Sequence, residues 1–384
     1  MLKPTKRELR INHLEEVRDK EEAKKSNLQR KTKIRTLQFE WSDGREVGCN
    51  DVEVLEGLEP HPNMEGIRIE NYLGEKFPPW LLMMKIPSDG DSSRVFDNLV
   101  AYVADSPVDE GGETVVFSCL EEFTIEECPL LTKIPLSDCS SLVKLRIEDC
   151  EELSYLFDEL HSFPSLKDIS IGGCSKLTSL PSELKSFTSL EGLQIYRCEA
   201  LTSVPEYFSE LHSLRGLQIT ECQSLSYFPK NILGGLTRLR FLEIGGFSEE
   251  LDSFPYLNSI QDLPSLEFLA IYGDARGRIK SLPDQLQSLT TLKGLHIHFF
   301  NGMEALPEWL GNLSSLKSLG LWDCDNLKYL PTATAMRLLS KLTRLRIGGC
   351  PFLRENCTKG SGSEWSKISH LPDIVIQETG LRRV

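Results

Sequence analysis

The feature that most constrains this chain is a spacing. From Leu142 the sequence reads L-x-x-L-x-I-x-x-C-x-x-L-x-x-L, through Leu145, Ile147, Cys150, Leu153 and Leu156. The same letters return 24 residues later as Leu166, Ile169, Ile171, Cys174, Leu177, Leu180 and Pro181. They return again as Leu190, Leu193, Ile195, Cys198, Leu201, Val204 and Pro205, and as Leu214, Leu217, Ile219, Cys222, Leu225, Phe228 and Pro229. Copies start at 120, 142, 166, 190, 214, 239, 266, 292, 316 and 342. A unit this short cannot bury its own apolar residues, so it is stable only when stacked on its neighbours.

The mean interval of about 25 residues lies in the range of leucine-rich repeats. Within L-x-x-L-x-I the second Leu and the Ile are two apart, so on a strand both point to one face and the residues around them to the other. Each copy therefore supplies one short strand of a parallel sheet. On the outer side, stretches such as Leu180–Leu190 carry Leu184 and Phe187 three apart, which suits a short 3₁₀ turn. The expected fold is an α/β leucine-rich-repeat solenoid, a horseshoe with a parallel β-sheet on its concave face and 3₁₀, irregular or short helical segments on its convex face. In three copies Phe247, Asp274 and Phe300 replace the cysteine, and extra residues precede Phe254-Pro255 and Leu282-Pro283, so the loops there should bulge outward.

Four segments are expected. Residues 1–85 read as divergent amino-terminal repeats, with strand cores at Leu9-Arg-Ile11, Leu37-Gln-Phe39 and Ile67-Arg-Ile69. Asp19 and Glu22 form a capping box that predicts a helix through about Lys31. Residues 86–118, with Pro-Ser-Asp-Gly-Asp-Ser-Ser and Asp-Glu-Gly-Gly-Glu, read as an irregular insertion or loop. Residues 119–358 are the regular array of about ten repeats. Residues 359–384 should cap it through Trp365, Ile368, Leu371 and Ile374.

The net charge of −14 excludes polyanion binding by the molecule as a whole, so no nucleic-acid partner is expected. Residues 1–40 run against this trend, with twelve basic and seven acidic side chains. That stretch reads first as a solvated surface. No run of apolar residues is long enough to span a membrane, and the start has no secretory core, which points to the cytoplasm or nucleus. The sequons at Asn312 and Asn356 are then chance matches, and the eleven cysteines are read as thiols. Seven of them, Cys128, Cys150, Cys174, Cys198, Cys222, Cys324 and Cys350, share one repeat position. No C-x-x-C pair exists, so a ladder of small buried thiols helping each strand to turn explains them better than a metal.

With Cys at the ninth position and Leu-Pro or Ile-Pro closing the unit, the array resembles the leucine-rich-repeat region of plant intracellular disease-resistance receptors of the coiled-coil, nucleotide-binding, leucine-rich-repeat type. Leu9–Val17, Glu22–Lys31, Leu37–Trp41, Val54–Asn63 and Tyr72–Trp80 are similar to the start of that region. Gly349–Leu353, Glu364–Ile368 and Pro372 are similar to its end. The resemblance implies a sensor and autoinhibitory module in defence against pathogens, with a pathogen effector or a guarded host protein as partner, and with intramolecular or in-trans docking to a nucleotide-binding module. No G-x-x-x-x-G-K-[ST] occurs, so this chain has no expected cofactor, ATP or ADP belonging to the absent module. Together with the irregular stretch Ala104–Glu113, following Asn98-Leu-Val100, this suggests a fragment or truncated form. The alternatives are a free-standing adaptor, such as a ubiquitin-ligase substrate receptor, and a non-functional receptor remnant.

No catalytic motif is present: there is no H-E-x-x-H, no G-x-S-x-G and no dinucleotide fingerprint. The chain is not expected to be an enzyme. Strand parity instead marks three outward columns. The third contains Tyr196, Tyr272, His298 and Trp322, the first Phe241, Phe268 and Arg344, and the second His296 and Arg346. His296 and His298 are expected to be a solvent-exposed pair without a third metal ligand. Exposed aromatics and arginines anchor protein interfaces, so these residues form the candidate partner-binding set. Alternatively, the rings stack on one another and only stabilise the sheet. Glu122, Glu126 and Glu148 beside Lys144 and Arg146 read as a solvated charged face.

Overall fold

The computed structural model describes residues 7–46, 50–82, 117–134, 139–156, 163–229, 231–248, 250–251, 253–254 and 257–379. The insertion expected at 86–118 lies outside the described residues except for its last two positions, and so do Cys49 and Pro255. The chain divides into two compact units, Met1–Leu145 with Phe157–Leu166, and Arg146–Leu156 with Lys167–Val384.

In the first unit, β1 (Glu8–Ile11), β2 (Thr36–Glu40), β3 (Gly66–Glu70) and β4 (Glu122–Glu126) pair in parallel. The register places Leu9, Leu37, Ile67 and Phe123 in one row and Ile11, Phe39, Ile69 and Ile125 in the next, so the strand cores legible in the sequence form one apolar face. The helix α1 spans Lys20–Lys24, with the Asp19 carboxylate accepting from Glu22 N–H at 2.8 Å. The Asp19 cap forms, while the Glu22 carboxylate accepts from Arg18 N–H at 3.0 Å and not from Asp19, and the helix does not continue to Lys31. Asn27 takes a left-handed conformation (φ 55°) and a 3₁₀ turn, Leu28–Arg30, follows. Helix α2 (Asp51–Gly57) starts at a buried carboxylate. Arg45 grips Asp51 through two N–H···O bonds of 2.9 and 2.8 Å, and Asp51 also accepts from Leu73 N–H at 2.9 Å. A short helix, α3 (Pro79–Leu82), closes the described part of this region. Much of the basic amino-terminal stretch is spent internally, Arg10 on Glu40, Arg18 on Glu22, Lys20 on Glu56 and Lys24 on Glu21.

Strand β5 (Lys144–Glu148) ends in the second unit. It is followed there by β6 (Asp168–Gly172), β7 (Gly192–Tyr196), β8 (Gly216–Thr220), β9 (Phe241–Gly245), β10 (Phe268–Tyr272), β11 (Gly294–His298), β12 (Ser318–Trp322), β13 (Arg344–Gly348) and β14 (Asp373–Gln377). From β6 to β14 each strand pairs in parallel with the next, without slippage, so equivalent repeat positions face one another. The tail thus contributes a strand, β14, as well as apolar cover from Ile368 and Leu371.

On the outer side each regular copy turns through a 3₁₀ segment: Ser182–Ser186, Glu206–Glu210, Asn258–Asp262, Asp284–Ser288 and Glu308–Asn312. Pro181, Pro205, Pro283 and Pro307 stand at the N-caps in extended backbone, which proline's fixed φ favours. Leu184, Phe208, Leu286 and Leu310 then plug the core. In one copy the 3₁₀ turn becomes α4 (Ala333–Leu338), capped by Thr332, and α5 (Pro351–Asn356) and α6 (Trp365–Ile368) follow.

Many of the strands end in the same turn. The residue after the third column is left-handed at Asp149, Arg197, Glu221, Phe299 and Asp323, and at Gly173, Gly246 and Gly349. The ladder cysteine follows. Its buried thiol donates to the carbonyl of the last strand residue, from Cys150 to Glu148, Cys174 to Gly172, Cys198 to Tyr196, Cys222 to Thr220, Cys324 to Trp322 and Cys350 to Gly348, at 3.4 to 3.6 Å. Where Phe replaces Cys, Phe247 packs with Phe228 and Phe254, and Phe254 with Phe300. Asp274 instead caps its own loop, accepting from Arg278 N–H at 3.1 Å and Ile279 N–H at 2.7 Å. The architecture is a parallel β solenoid with short helical and 3₁₀ segments on the outer side, a leucine-rich-repeat fold.

Candidate protein-recognition face

The face of the second unit's sheet turned away from the 3₁₀ segments carries the three expected columns. Strand pairing puts Phe268 between Phe241 and Gly294, and His296 between Ala270 and Gly320. His298 lies between Tyr272 and Trp322. The rings follow from this register. Tyr272 and His298 are stacked, with centroids 4.5 Å apart and planes 9° apart, and His298 stacks more loosely on Trp322 at 6.4 Å and 21°. Phe268 meets His296 edge-on at 4.8 Å, and Phe241 stands 6.5 Å from Phe268.

Exposure differs sharply along this cluster. Phe241 is 52% exposed, whereas Trp322 and His298 are each 6% exposed. The expectation of a solvent-exposed histidine pair is therefore corrected: His298 is buried between two rings, and His296 is half-buried. Trp322 is likewise not an exposed anchor. Two glycines let its indole lie down on the sheet, since a Cβ at Gly320 would sit 2.6 Å from Trp322 Nε1 and one at Gly348 would sit 2.7 Å from Trp322 Cζ3. Tyr272, His298 and Trp322 do stack on one another. Phe241, with Phe268 and His296 in part, remains open to a partner.

The electrostatics divide the face. Burial lowers the pKa of His296, keeping its ring neutral at pH 7. Burial also raises that of Glu243, against the smaller pull of the Tyr272 hydroxyl, which donates to its carboxylate at 3.3 Å. Arg344 and Arg346, expected in the same set, are held at the border by Asp373 of β14. Arg346 binds that carboxylate through two bonds of 2.9 and 2.7 Å, and both arginines pull the Asp373 pKa down. Tyr196 is set apart as well. Its ring overlies Gly172 and its hydroxyl donates to Glu148, whose carboxylate also takes Arg146 at 2.7 Å. Burial, then Glu148, pushes the Tyr196 phenol pKa up.

Two contributors escaped the sequence reading. Glu243 occupies the second column beside the aromatic set, and Gly216 pairs in register with Phe241. The available signal was the thinning of charge along successive strands, which reading aromatic positions one by one does not show.

Among the described residues no group of three or more His, Cys, Asp or Glu could hold a metal ion, and no helix is long and apolar enough to cross a membrane. Fold and face define a leucine-rich-repeat scaffold, a non-catalytic protein-interaction architecture. Residues 1–88 match the family described as R13L1/DRL21 LRRs, and residues 207–377 match a leucine-rich-repeat region family. The chain is related to leucine-rich-repeat regions of plant disease-resistance proteins. It is 33% identical over 75 residues to disease resistance protein RGA2 of Solanum bulbocastanum, covering 19% of this chain and 8% of that protein. It is 34% identical over 96 residues to the putative disease resistance RPP13-like protein 1 of Arabidopsis thaliana, covering 23% and 8%. The matches span less than a tenth of these relatives' length. A structure of the Drosophila Toll–Spatzle complex, in its glycosylated form, aligns with TM-score 0.53 at 16% identity over 90% of this chain and 41% of that one, which supports the fold alone.

Proposed function

We propose that this chain is the recognition module of a plant intracellular immune receptor, acting in the cytoplasm or nucleus and binding a pathogen effector or a guarded host protein through the open face of β9–β12. The observation that carries the reading is Phe241, a large apolar ring left half in solvent on the sheet face, with Phe268 and His296 beside it. The partial relatedness to disease-resistance proteins supports the immune setting. In that setting the chain works by differential binding: a partner on the open face favours one state of the receptor over another in which the repeats dock on a nucleotide-binding module.

A pairwise binding screen against a panel of secreted pathogen proteins and their host targets tests this. Partners found should lose about tenfold or more in affinity when Phe241 and Phe268 are both replaced by Ser, at unchanged helical and strand content. Partners that bind this variant as well as the parent chain would contradict the assignment of the face.

A further inference from the structure

The open face of β7–β12 is almost free of formal charge in a chain of which 26% of the residues are charged. The strand sequences are GLQIY, GLQIT, FLEIG, FLAIY, GLHIH and SLGLW, and of the outward positions only Glu243 is ionisable as an acid or strong base. The bordering strands differ. On one side Arg146, Glu148 and Asp168 stand out from β5 and β6, and on the other Arg344, Arg346 and Asp373 stand out from β13 and β14. A neutral centre inside a charged border is the arrangement of a protein interface core and its rim.

The floor of this area is also uneven in a specific way. At Gly294 an added Cβ would meet the Phe268 ring at 2.8 Å, and at Gly320 it would meet Trp322 and His296, so those glycines are already covered by rings. At Gly216 an added Cβ meets nothing within 4 Å. Gly216 is buried least by its surroundings of these three, and it lies in register with Phe241, the most exposed ring of the face. Gln194 and Gln218 continue the floor with neutral amides, which can donate and accept without a charge to desolvate.

We propose that β7–β12 form one neutral docking patch whose partner presents an uncharged, apolar peptide segment, with a side chain seated on the open floor at Gly216 against the Phe241 ring. The inference rests on the open face being the recognition surface. It adds the chemistry of the occupant. Apart from the Glu243 carboxylate, whose charged form burial disfavours, a charged segment would give up its hydration at the patch with no opposite charge to meet, so selection of neutral partners follows from the surface itself.

The test uses the full chain and a random 12-residue peptide library displayed on phage as the probe. Peptides enriched on the chain should be rich in aliphatic and aromatic residues and poor in charged ones. Their affinity should change less than about twofold between 0.05 and 0.5 M NaCl, because no exposed charge pair is involved. Binding should fall at least about tenfold in Gly216→Arg, a substitution whose side chain the backbone accepts without a clash, and in Phe241→Ala. Thermal unfolding of both variants serves as the folding control. Enriched peptides that are charged, salt-sensitive, lost on Arg344→Glu and kept on Gly216→Arg would overturn the neutral-patch inference while leaving recognition by the open face intact. Peptides that survive all three substitutions would overturn both, and so would a failure to enrich any peptide.

Discussion

In several of the turns that follow a strand, the left-handed position is held by a residue other than glycine. Glu221 sits at φ 58° between Thr220 and Cys222, where an L side chain crowds its own backbone. Glu221→Gly should therefore raise stability by about 0.5 to 1 kcal/mol, the relief outweighing glycine's extra freedom in the unfolded chain; a urea midpoint that falls would contradict this. The neighbouring thiols are shielded in the same turn. Burial pushes the Cys174 thiol up to about 12, and does the same to the Cys357 thiol outside these turns, at the end of α5. Reactivity follows the thiolate. The reagent must also reach the sulfur, so iodoacetamide at pH 8 should label exposed Cys119 in the native chain and spare the buried Cys150, Cys174, Cys198 and Cys222 until denaturant is added, as read by mass spectrometry of the peptides. Early labelling of the ladder would mean that the turns open far more readily than their burial allows.

Within the strands, pattern and structure agree most closely where the information is local. Alternation of two and a period of 24 put Leu193, Ile195, Leu217 and Ile219 inward, and all are buried. The burial of Trp322 and His298 was not legible, because it depends on residues one repeat away, Gly320 and Gly348 beneath the indole and Tyr272 against the imidazole. The end of α1 was hidden for a related reason: Asn27 turns left-handed before the polar run to Lys31 is complete, and composition does not mark that turn. The histidine strand gives a pH prediction. His296 has a folded pKa below its ordinary 6.5, so the unfolded chain takes up a proton more readily than the native one. This contribution is fully present above pH 6.5 and is lost as pH falls through 6.5 toward the folded value. The melting temperature should drop more between pH 7.5 and 5.5 in the parent chain than in His296→Phe; equal drops would show that this ring does not titrate on unfolding.

Taken whole, the molecule is acidic at −14, yet the strands of the candidate surface carry one carboxylate, Glu243, and no lysine or arginine. The sequence exposed the columns from which that surface is built, and so placed Phe241, Phe268 and His296 on it. It also placed Arg344 and Arg346 there, which the structure moves to the border by tying them to Asp373. That tie depends on β14, a strand supplied by a tail whose sequence reads as a cap. The fold was therefore more legible than the site: a stack of repeats is written in a short-range code, whereas the character of its open face depends on which side chains lie down on neighbouring strands. The most direct measurement is hydrogen–deuterium exchange of the chain with and without a protein partner taken from the binding screen. Added protection should fall on peptides covering β9–β12, where Phe241, Phe268 and His296 stand. Protection confined to the outer 3₁₀ segments, Glu206–Glu210, Asp284–Ser288 and Glu308–Asn312, with the strands unchanged, would contradict recognition by the sheet face.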